Sequence, residues 1–342
     1  MDLGFTEDQL AIEESFVRFF DKESPPAVAR AAEPLGFDRG LWDRLVEMGA
    51  PGMGAPAADG GGGATLSDLV IVAEAVGHAI APVPLVEHMV AARAHPVEDV
   101  VEGAVIATIS LRPAQPDGTW RLVPAGAIAD VVIGIDGDEV VAVRASAPGA
   151  APRNHSAAPL ADRSAREGAR TVLGPAGSFD RTLAEWKTLT AASLVGISVA
   201  ALQLGRDYAM SRHQFGVPIG SFQAVQHGLA DLPALIDGGR LLTHKAAWAG
   251  DRPTPGIRDV DDCDITDFSS LAGMAFVFAA DASTRSTDRS LHFHGGYGFS
   301  EEYDIQLYYR RARGWALVLD DPSKECLRLA DELFGPVAAG AA

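Results

Sequence analysis

The stretch that decides the fold is His292-Phe-His-Gly-Gly-Tyr-Gly-Phe-Ser-Glu-Glu-Tyr-Asp-Ile-Gln-Leu-Tyr-Tyr-Arg-Arg-Ala-Arg313. Gly295 and Gly296 leave part of the backbone without side chains, as is needed where a phosphate or an amide must come close. Three arginines follow at positions 310, 311 and 313, on a predicted helix. The pattern therefore indicates a helix end, a glycine turn and a second, cationic helix.

A second informative stretch covers residues 211–231 and reads Ser-Arg-His-Gln-Phe-Gly-Val-Pro-Ile-Gly-Ser-Phe-Gln-Ala-Val-Gln-His-Gly-Leu-Ala-Asp. Arg212 follows a long predicted helix, and its planar guanidinium is suited to bidentate binding of phosphate oxygens. On the residues alone, Arg212 could equally solvate the carbonyl groups at that helix end, with Phe215 as a core residue. The rest of the chain has to decide between these two interpretations.

The composition limits the classes of function. The chain has 342 residues, 47% of them apolar, which suffices for two or three domains with a buried core. A formal net charge of −18 and the lack of a long Lys/Arg run argue against a general nucleic-acid-binding surface. Cys263 and Cys326 are far apart in the sequence, which suits a reducing cytoplasm and predicts neither a disulfide framework nor a structural metal.

No targeting or membrane segment is predicted. The first eight residues, Met-Asp-Leu-Gly-Phe-Thr-Glu-Asp, are acidic and lack the charged-then-apolar pattern of a signal peptide. The most apolar helical stretch, residues 193–204, is shorter than the about 20 residues that span a bilayer. We therefore expect a cytoplasmic protein with no nucleic-acid and no membrane partner.

Hydrophobic periodicity divides the chain into three domains of an α+β protein: a helical domain over 1–102, a reduced β domain over 103–178 and a helical bundle over 179–342. Thr6-Glu-Asp-Gln9 is a capping-box pattern that predicts the first helix. Short β-branched runs at 105–111, 131–135 and 139–143 predict a small antiparallel sheet.

Helix returns in the third domain, with long helices predicted over 182–212 and 269–290. Ser67 and Ser221 are predicted as helix caps, and Pro233 is predicted to kink a helix.

These motifs and the α–β–α order resemble the acyl-CoA dehydrogenase family over nearly the whole chain. The family pattern Arg-x-x-Phe-Gly is kept at 212–216, Phe222-Gln223 follow at the family's spacing, and the family's Gln-x-x-Gly-Gly motif ends at Gly296. His292 replaces the Gln of that motif, and a neutral imidazole has a single N–H donor where the amide group of Gln has two. The resemblance implies FAD contacts, directed into a neighbouring subunit, from these residues: Arg212, Gln214, Phe215, Gln223, His292, Gly295 and Gly296.

Other family signatures are missing. The segment that usually carries the catalytic base reads Ala-Leu-Val-Leu-Asp-Asp-Pro at 316–322 and places Leu319 where the family has Glu, next to Asp320. A minority of the family places the base early in the first long C-terminal helix. Glu185 lies near that position and is the candidate base, although the register aligns Trp186, one residue later, with the family's base position. The family's flavin-covering loop has no match between residues 100 and 180.

The resemblance therefore implies one subunit of an FAD-dependent heteromeric enzyme, similar to the smaller subunit of actinobacterial steroid-type α₂β₂ acyl-CoA dehydrogenases. The family reaction is α,β-dehydrogenation of an acyl-CoA thioester, with electrons passed to an electron-transfer flavoprotein. A larger paralogous subunit would hold the flavin ring and the base. Two alternatives stay open: a structural subunit that binds no flavin, and a self-sufficient homo-oligomer with a displaced base.

Two details of the motifs stay open as well. His292 and His294 have no third ligand nearby in the sequence, so no metal site is predicted. The three arginines at 310–313 could pair with Glu301 and Glu302 or approach a cofactor phosphate across an interface.

Overall fold

The computed structural model describes residues 4–253, 256–259 and 264–335, so the predictions for Cys263 and for part of the loop before it lie outside the described residues. The mixed helix and strand content confirms the α+β class. The first segment contains α1 Glu7–Glu23, α2 Pro26–Ala31, α3 Arg39–Glu47, α4 Leu66–His78, α5 Leu85–Ala94 and α6 Glu98–Val101.

Capping chemistry explains where the N-terminal helices begin. The Thr6 hydroxyl accepts from the Gln9 backbone N–H at 3.2 Å while the Gln9 side chain accepts from the Thr6 N–H at 3.1 Å, so the predicted capping box is confirmed. The predicted cap Ser67 is wrong, because the cap of α4 is Thr65, which forms a capping box with Asp68. Aspartate serves here as well as the expected Glu or Gln, since it reaches the same backbone N–H.

The central segment is a β region whose strands are β1 Ala107–Ile109, β2 Thr119–Val123, β3 Val131–Asp136, β4 Glu139–Arg144, β5 Ala161–Ser164 and β6 Ala169–Pro175. Four of them form one sheet in the order β1-β3-β4-β6, and β2 pairs with β5 separately. The prediction of an antiparallel sheet is wrong in one respect, because β1 pairs parallel to β3, with Ala107 opposite Val131. The parallel pair needs a long connection, which β2 and its flanking loops provide.

The last segment is built around one helix. It contains α7 Phe179–Ser211, β7 His213–Gln214, β8 Val217–Pro218, α8 Gln223–Ala230, α9 Leu232–Gly250, β9 Arg258–Asp259, β10 Asp264–Ile265, α10 Phe268–His294, α11 Ile305–Leu317 and α12 Pro322–Phe334. The third segment has its own apolar core, and helices α7, α9, α10 and α11 pack around it as a bundle. Pro233 does not kink a helix, because it stands in the first turn of α9, where a missing N–H costs nothing. Ser221 is likewise not a helix cap, since Phe222 precedes α8.

α7 joins the N-terminal helices to the bundle by close backbone contact with α4. A Cβ on Gly77 would lie 1.8 Å from the Ser193 carbonyl oxygen, and a Cβ on Gly196 would lie 2.0 Å from that of Glu74. Both helices therefore need glycine at the crossing.

The length of α7 corrects one expectation. Together with the turn before it, the helix covers Ala176–Ser211, which is long and apolar enough to cross a membrane by composition. The expected apolar stretch of residues 193–204 was too short, because the apolar helix continues without a break on both sides of it. Of its most apolar window, 78% is buried inside the protein, so α7 is a core helix.

Candidate functional site

A short hairpin directly after α7 carries the first predicted motif. β7 pairs antiparallel with β8, and the Ile219 N–H donates to the Arg212 carbonyl oxygen at 2.7 Å. Phe215 and Gly216 form the two-residue loop, with φ values of 54° and 84°. A positive φ at both loop positions is the backbone of a type I′ turn, which favours Asn-Gly or Gly-Gly. A phenylalanine at the first position is therefore a strained choice.

Phe215 is also almost fully exposed, at 94% of its surface. Its nearest aromatic neighbour is Phe222, whose ring stands edge-on with centroids 6.2 Å apart and is 38% exposed. The prediction leaves two interpretations of Phe215, and the core interpretation is wrong because the hairpin points this ring into solvent. A strained, exposed aromatic side chain gains nothing within this chain, which indicates a contact outside it.

Arg212 connects the hairpin to the glycine motif. Its guanidinium lies over the ring of Tyr297, with 5.4 Å between the Cζ atom and the ring centroid. Within the described ranges Arg212 forms no ion pair with an acidic side chain, and it is exposed. The donors of the guanidinium are therefore available to an anion. Gln214 in β7 and Gln223 at the start of α8 are exposed on the same connection.

The glycine turn ends α10. Gly295 has a φ of 61°, a left-handed backbone conformation that favours glycine. Gly296 has no such backbone requirement, and a Cβ added to either residue would meet no atom within 4 Å. Neither the conformation nor the packing of this chain requires glycine at 296. His292, on the last turn of α10, is exposed and stands edge-on to Phe293.

We call Arg212, Phe215, Phe222, Tyr297 and Gly296 together the hairpin surface. Its members come from two sequence motifs about 80 residues apart, joined by the contact of Arg212 with Tyr297. It presents a guanidinium group that has no acidic partner among the described residues, together with exposed rings and open backbone. These are the groups that recognise a phosphate and an aromatic base.

The arginines after the glycine turn have other partners. Arg310 pairs with Glu33 at 2.6 Å, and Arg311, which is buried, pairs with the same carboxylate at 3.2 Å. Burial lowers the pKa of Arg311 to about 10, against the raising effect of Glu33. The predicted pairing with Glu301 and Glu302 is thus wrong for these two arginines, because their acid is Glu33 on the N-terminal segment. They clamp α11 onto that segment and are not part of the hairpin surface.

The predicted base Glu185 lies in a different environment. Its carboxylate accepts from Arg93 through two bonds of 2.9 and 3.2 Å, and Arg181 lies 3.2 Å away. The side chain is only 6% exposed. Burial alone would lower the pKa of Arg93, and Glu185 raises it instead. A carboxylate bound by two guanidinium groups has few free lone pairs to take up a proton, so this geometry is that of a structural ion pair.

The next residue, Trp186, faces a second space. We call it the Trp186 cavity; its walls include Glu87 of α5, Trp186, Thr190 and Ser193 of α7, Arg311 and Val318. It offers about 70 Å³ to the centres of water-sized spheres, well below the roughly 300 Å³ of typical ligand pockets. Trp186, at one of the two family base positions, lines this cavity. Leu319, at the other, lies in a turn after α11 rather than on a helix and lines a different pocket, with Lys187 and Glu325.

Glu87 is the carboxyl group on this cavity wall that the sequence analysis missed. Burial raises its pKa. A single acid within the apolar run Leu-Val-Glu-His-Met-Val of a helix was the signal that could have found it. Asp320, the other acid near the expected base position, is exposed and paired with Lys324 at 3.0 Å.

An acyl-CoA dehydrogenase N-terminal domain model matches residues 6–98, and a C-terminal domain model matches residues 178–318. Acyl-CoA dehydrogenase IpdE2 of Mycolicibacterium smegmatis is 33% identical over 340 residues, covering 96% of this chain and 100% of that protein. The chain belongs to the acyl-CoA dehydrogenase family, whose enzymes are FAD-dependent oxidoreductases acting on CH–CH bonds of acyl-CoA.

Two solved structures of paired assemblies are also similar to this chain. A chain of the ChsE4–ChsE5 complex from Mycobacterium tuberculosis is 26% identical, with a TM-score of 0.83, and the match covers 99% of this chain and 100% of that one. A chain of a variant of the Tcur3481–Tcur3483 steroid ACAD is 27% identical, with a TM-score of 0.82 and coverage of 96% and 98%. The expected resemblance to heteromeric steroid-type members is therefore confirmed.

Proposed function

We propose that this chain is the smaller subunit of a heteromeric FAD-dependent acyl-CoA dehydrogenase that acts on a bulky, steroid-type acyl-CoA. Its part in the enzyme is to supply cofactor contacts to a larger paralogous subunit across their interface. The observation that carries the proposal is the hairpin surface, which displays a strained, 94% exposed Phe215 and a glycine at 296 that this chain does not itself need.

The residues of the hairpin surface suit the adenine and pyrophosphate end of FAD. Arg212 has the planar donor fork that binds phosphate oxygens in pairs, and it has no acidic partner among the described residues. Phe215 and Phe222 offer ring faces for an adenine. Gln214, Gln223 and His292 add exposed polar groups at the edges of the same surface.

The flavin ring belongs elsewhere. Bound FAD would supply the hydride acceptor for the β carbon of the acyl group, and this chemistry would need the ring beside the substrate and a base at the α carbon. In this chain the Trp186 cavity offers only about 70 Å³. Trp and Leu occupy the two positions where the family places a base, and Glu185 is bound to Arg93. The larger subunit would therefore supply the ring site and the base.

Two structural neighbours support an enzyme built from two different subunits. The two structural neighbours at 26% and 27% identity come from paired assemblies, ChsE4–ChsE5 and Tcur3481–Tcur3483, and the second is described as a steroid ACAD. We propose by analogy a two-subunit enzyme with a steroid-type acyl-CoA as substrate and an electron-transfer flavoprotein as acceptor. The same analogy suggests a cytoplasmic location.

Flavin content tests the proposal. The chain expressed alone should contain no flavin, whereas coexpression with the correct acyl-CoA dehydrogenase paralogue from the same genome should give a yellow complex. Arg212→Ala should reduce the flavin content of that complex. Arg206→Ala is the matched control, since Arg206 is an exposed arginine on α7 that pairs with Asp207.

Three results would contradict the proposal. Flavin and turnover in the isolated chain would favour the self-sufficient enzyme. A complex whose flavin content is insensitive to Arg212→Ala would favour a structural subunit without cofactor contacts. Equal losses with Arg212→Ala and Arg206→Ala would show that charge in general, and not the hairpin surface, matters.

A further inference from the structure

We propose that the Trp186 cavity is a binding site for a small, mainly apolar molecule that carries one uncharged hydrogen-bond acceptor, such as a ketone oxygen. The walls are largely apolar, with Val76, Val83, Val86, Pro159, Trp315 and Val318 among them. This inference does not depend on the flavin contacts proposed above, because none of the residues of the hairpin surface lines the cavity.

The indole N–H of Trp186 is the first observation. The side chain is 1% exposed, and its Nε1 atom is buried without a hydrogen-bond partner in the described part of the chain. Trp186 packs against Phe276 with ring centroids 5.8 Å apart, which restricts its rotation toward another acceptor. A buried donor left unpaired is costly, so an acceptor supplied from outside the chain would be stabilising.

Glu87 is the second observation. It lines the same cavity from α5 and lies near enough to Trp186 for that side chain to influence its pKa. Burial raises the pKa of Glu87, and the influence of Trp186 opposes this only in part. The raised pKa favours the protonated carboxyl group, which can donate a hydrogen bond. Trp186 and Glu87 thus line one small apolar space from two helices.

The charged surroundings favour a neutral ligand. Arg311 of α11 also lines the wall, and it is already bound to Glu33 at 3.2 Å and to the Leu307 carbonyl oxygen at 3.3 Å. Thr190 and Ser193 contribute hydroxyl groups, and the Ser193 hydroxyl donates to the Ala73 carbonyl oxygen. Among the described wall residues, the one cation, Arg311, is already paired, so a ligand anion would gain little there, whereas a ketone oxygen can accept from Trp186 and from a protonated Glu87.

The volume admits such a ligand. The 70 Å³ open to the centres of water-sized spheres is several times the about 10–15 Å³ needed for one water. Cyclopentanone is the probe, and cyclopentane, which has the same ring without an acceptor, is its control. The readout is the indole N–H resonance of Trp186 in the purified full chain, assigned by its loss in Trp186→Phe.

Cyclopentanone should shift the Trp186 resonance in a saturable way, and cyclopentane should not. Trp186→Phe, followed through methyl resonances of the cavity wall, should weaken cyclopentanone binding about three- to tenfold, as expected for one lost hydrogen bond. Binding should also weaken as the pH rises through the raised pKa of Glu87, because a carboxylate cannot donate. Glu87→Gln keeps a neutral donor, so it should retain binding and lose this pH dependence.

Several results would overturn the inference. Equal binding of cyclopentane and cyclopentanone, or undiminished binding by Trp186→Phe, would show that the donors do not recognise the ligand. A cavity that holds only water, with no shift from either compound, would end it. Wild-type binding that does not change with pH would remove Glu87 from the site. None of these results would affect the flavin contacts, which are measured on a different surface.

Discussion

Phe215→Gly separates the stability of this chain from its assembly. In the folded chain Phe215 is 94% exposed and has a φ of 54°. A left-handed backbone costs an ordinary residue roughly 1–2 kcal/mol, which glycine does not incur. Glycine gains entropy in the unfolded chain, which offsets about 0.5–1 kcal/mol of that benefit. The free energy of unfolding of the isolated chain should therefore rise by no more than about 1.5 kcal/mol.

The effect on assembly should be much larger. A phenylalanine side chain buries roughly 150–250 Å² when it is fully covered. At about 25 cal/mol per Å² this gives an upper limit of roughly 4–6 kcal/mol. Alanine scans place central aromatic contacts at about 2–4 kcal/mol. Phe215→Gly should thus weaken the complex with the larger subunit about 30- to 1,000-fold.

The assay compares two quantities for each variant: the free energy of unfolding of the isolated chain in urea, and the dissociation constant of the heteromer. Leu327→Ala is the control, because Leu327 on α12 is 67% exposed and lies outside the hairpin surface. A heteromer that Phe215→Gly leaves as tight as the wild type would refute the reasoning. So would a loss of more than about 2 kcal/mol in the stability of the isolated chain, since that would make Phe215 a structural residue.

Three further predictions concern other positions. Burial lowers the pKa of His88 to about 4. Between about pH 6.5 and 4 the unfolded chain therefore binds a proton at His88 that the folded chain does not bind. Stability is lost as the pH falls through this window, by about 3 kcal/mol. His88→Gln keeps a donor and an acceptor and should flatten the pH dependence of urea unfolding, whereas an unchanged slope would exclude His88 as its source. Glu185→Gln should destabilise the chain by about 3 kcal/mol by leaving Arg93 unpaired, with normal turnover in the surviving heteromer; the reverse, normal stability and lost turnover, would identify Glu185 as the base. Gly296→Val should lower flavin retention while Gly177→Val, at an equally open glycine, should not; similar retention in both would show that nothing approaches Gly296.

Local chemistry made much of the fold predictable. The capping box at Thr6 and the long helix α7 follow from patterns within a few turns of chain. The parallel pairing of β1 with β3 did not follow, because strand pairing depends on contacts between distant segments. Pro233 was misread for a related reason: a proline in the first turn of a helix and one in its middle have the same local sequence until the helix start is known.

The contact partners of charged residues were harder still. The buried Lys187 pairs with Glu325 at 2.7 Å across 138 residues of sequence and holds α12 against α7. Glu33 receives both Arg310 and Arg311, although it lies far from them in the sequence. The hairpin surface, in contrast, was predictable as two motifs, but the exposure of Phe215 and the open space at Gly296 required coordinates.

Three consecutive residues of α7 explain why the catalytic base was the weakest point of the sequence analysis. Glu185 bonds to Arg93, Trp186 lines the cavity and Lys187 pairs with Glu325. Successive helix residues point about 100° apart, so a register error of one residue exchanges an acid, an aromatic ring and a cation. The position facing the cavity is Trp186, and the carboxyl group on that wall comes from Glu87 on another helix. The register places the family's base position at Trp186, on the cavity side of α7, whereas the adjacent acid Glu185 lies on another side of the helix, where it bonds to Arg93.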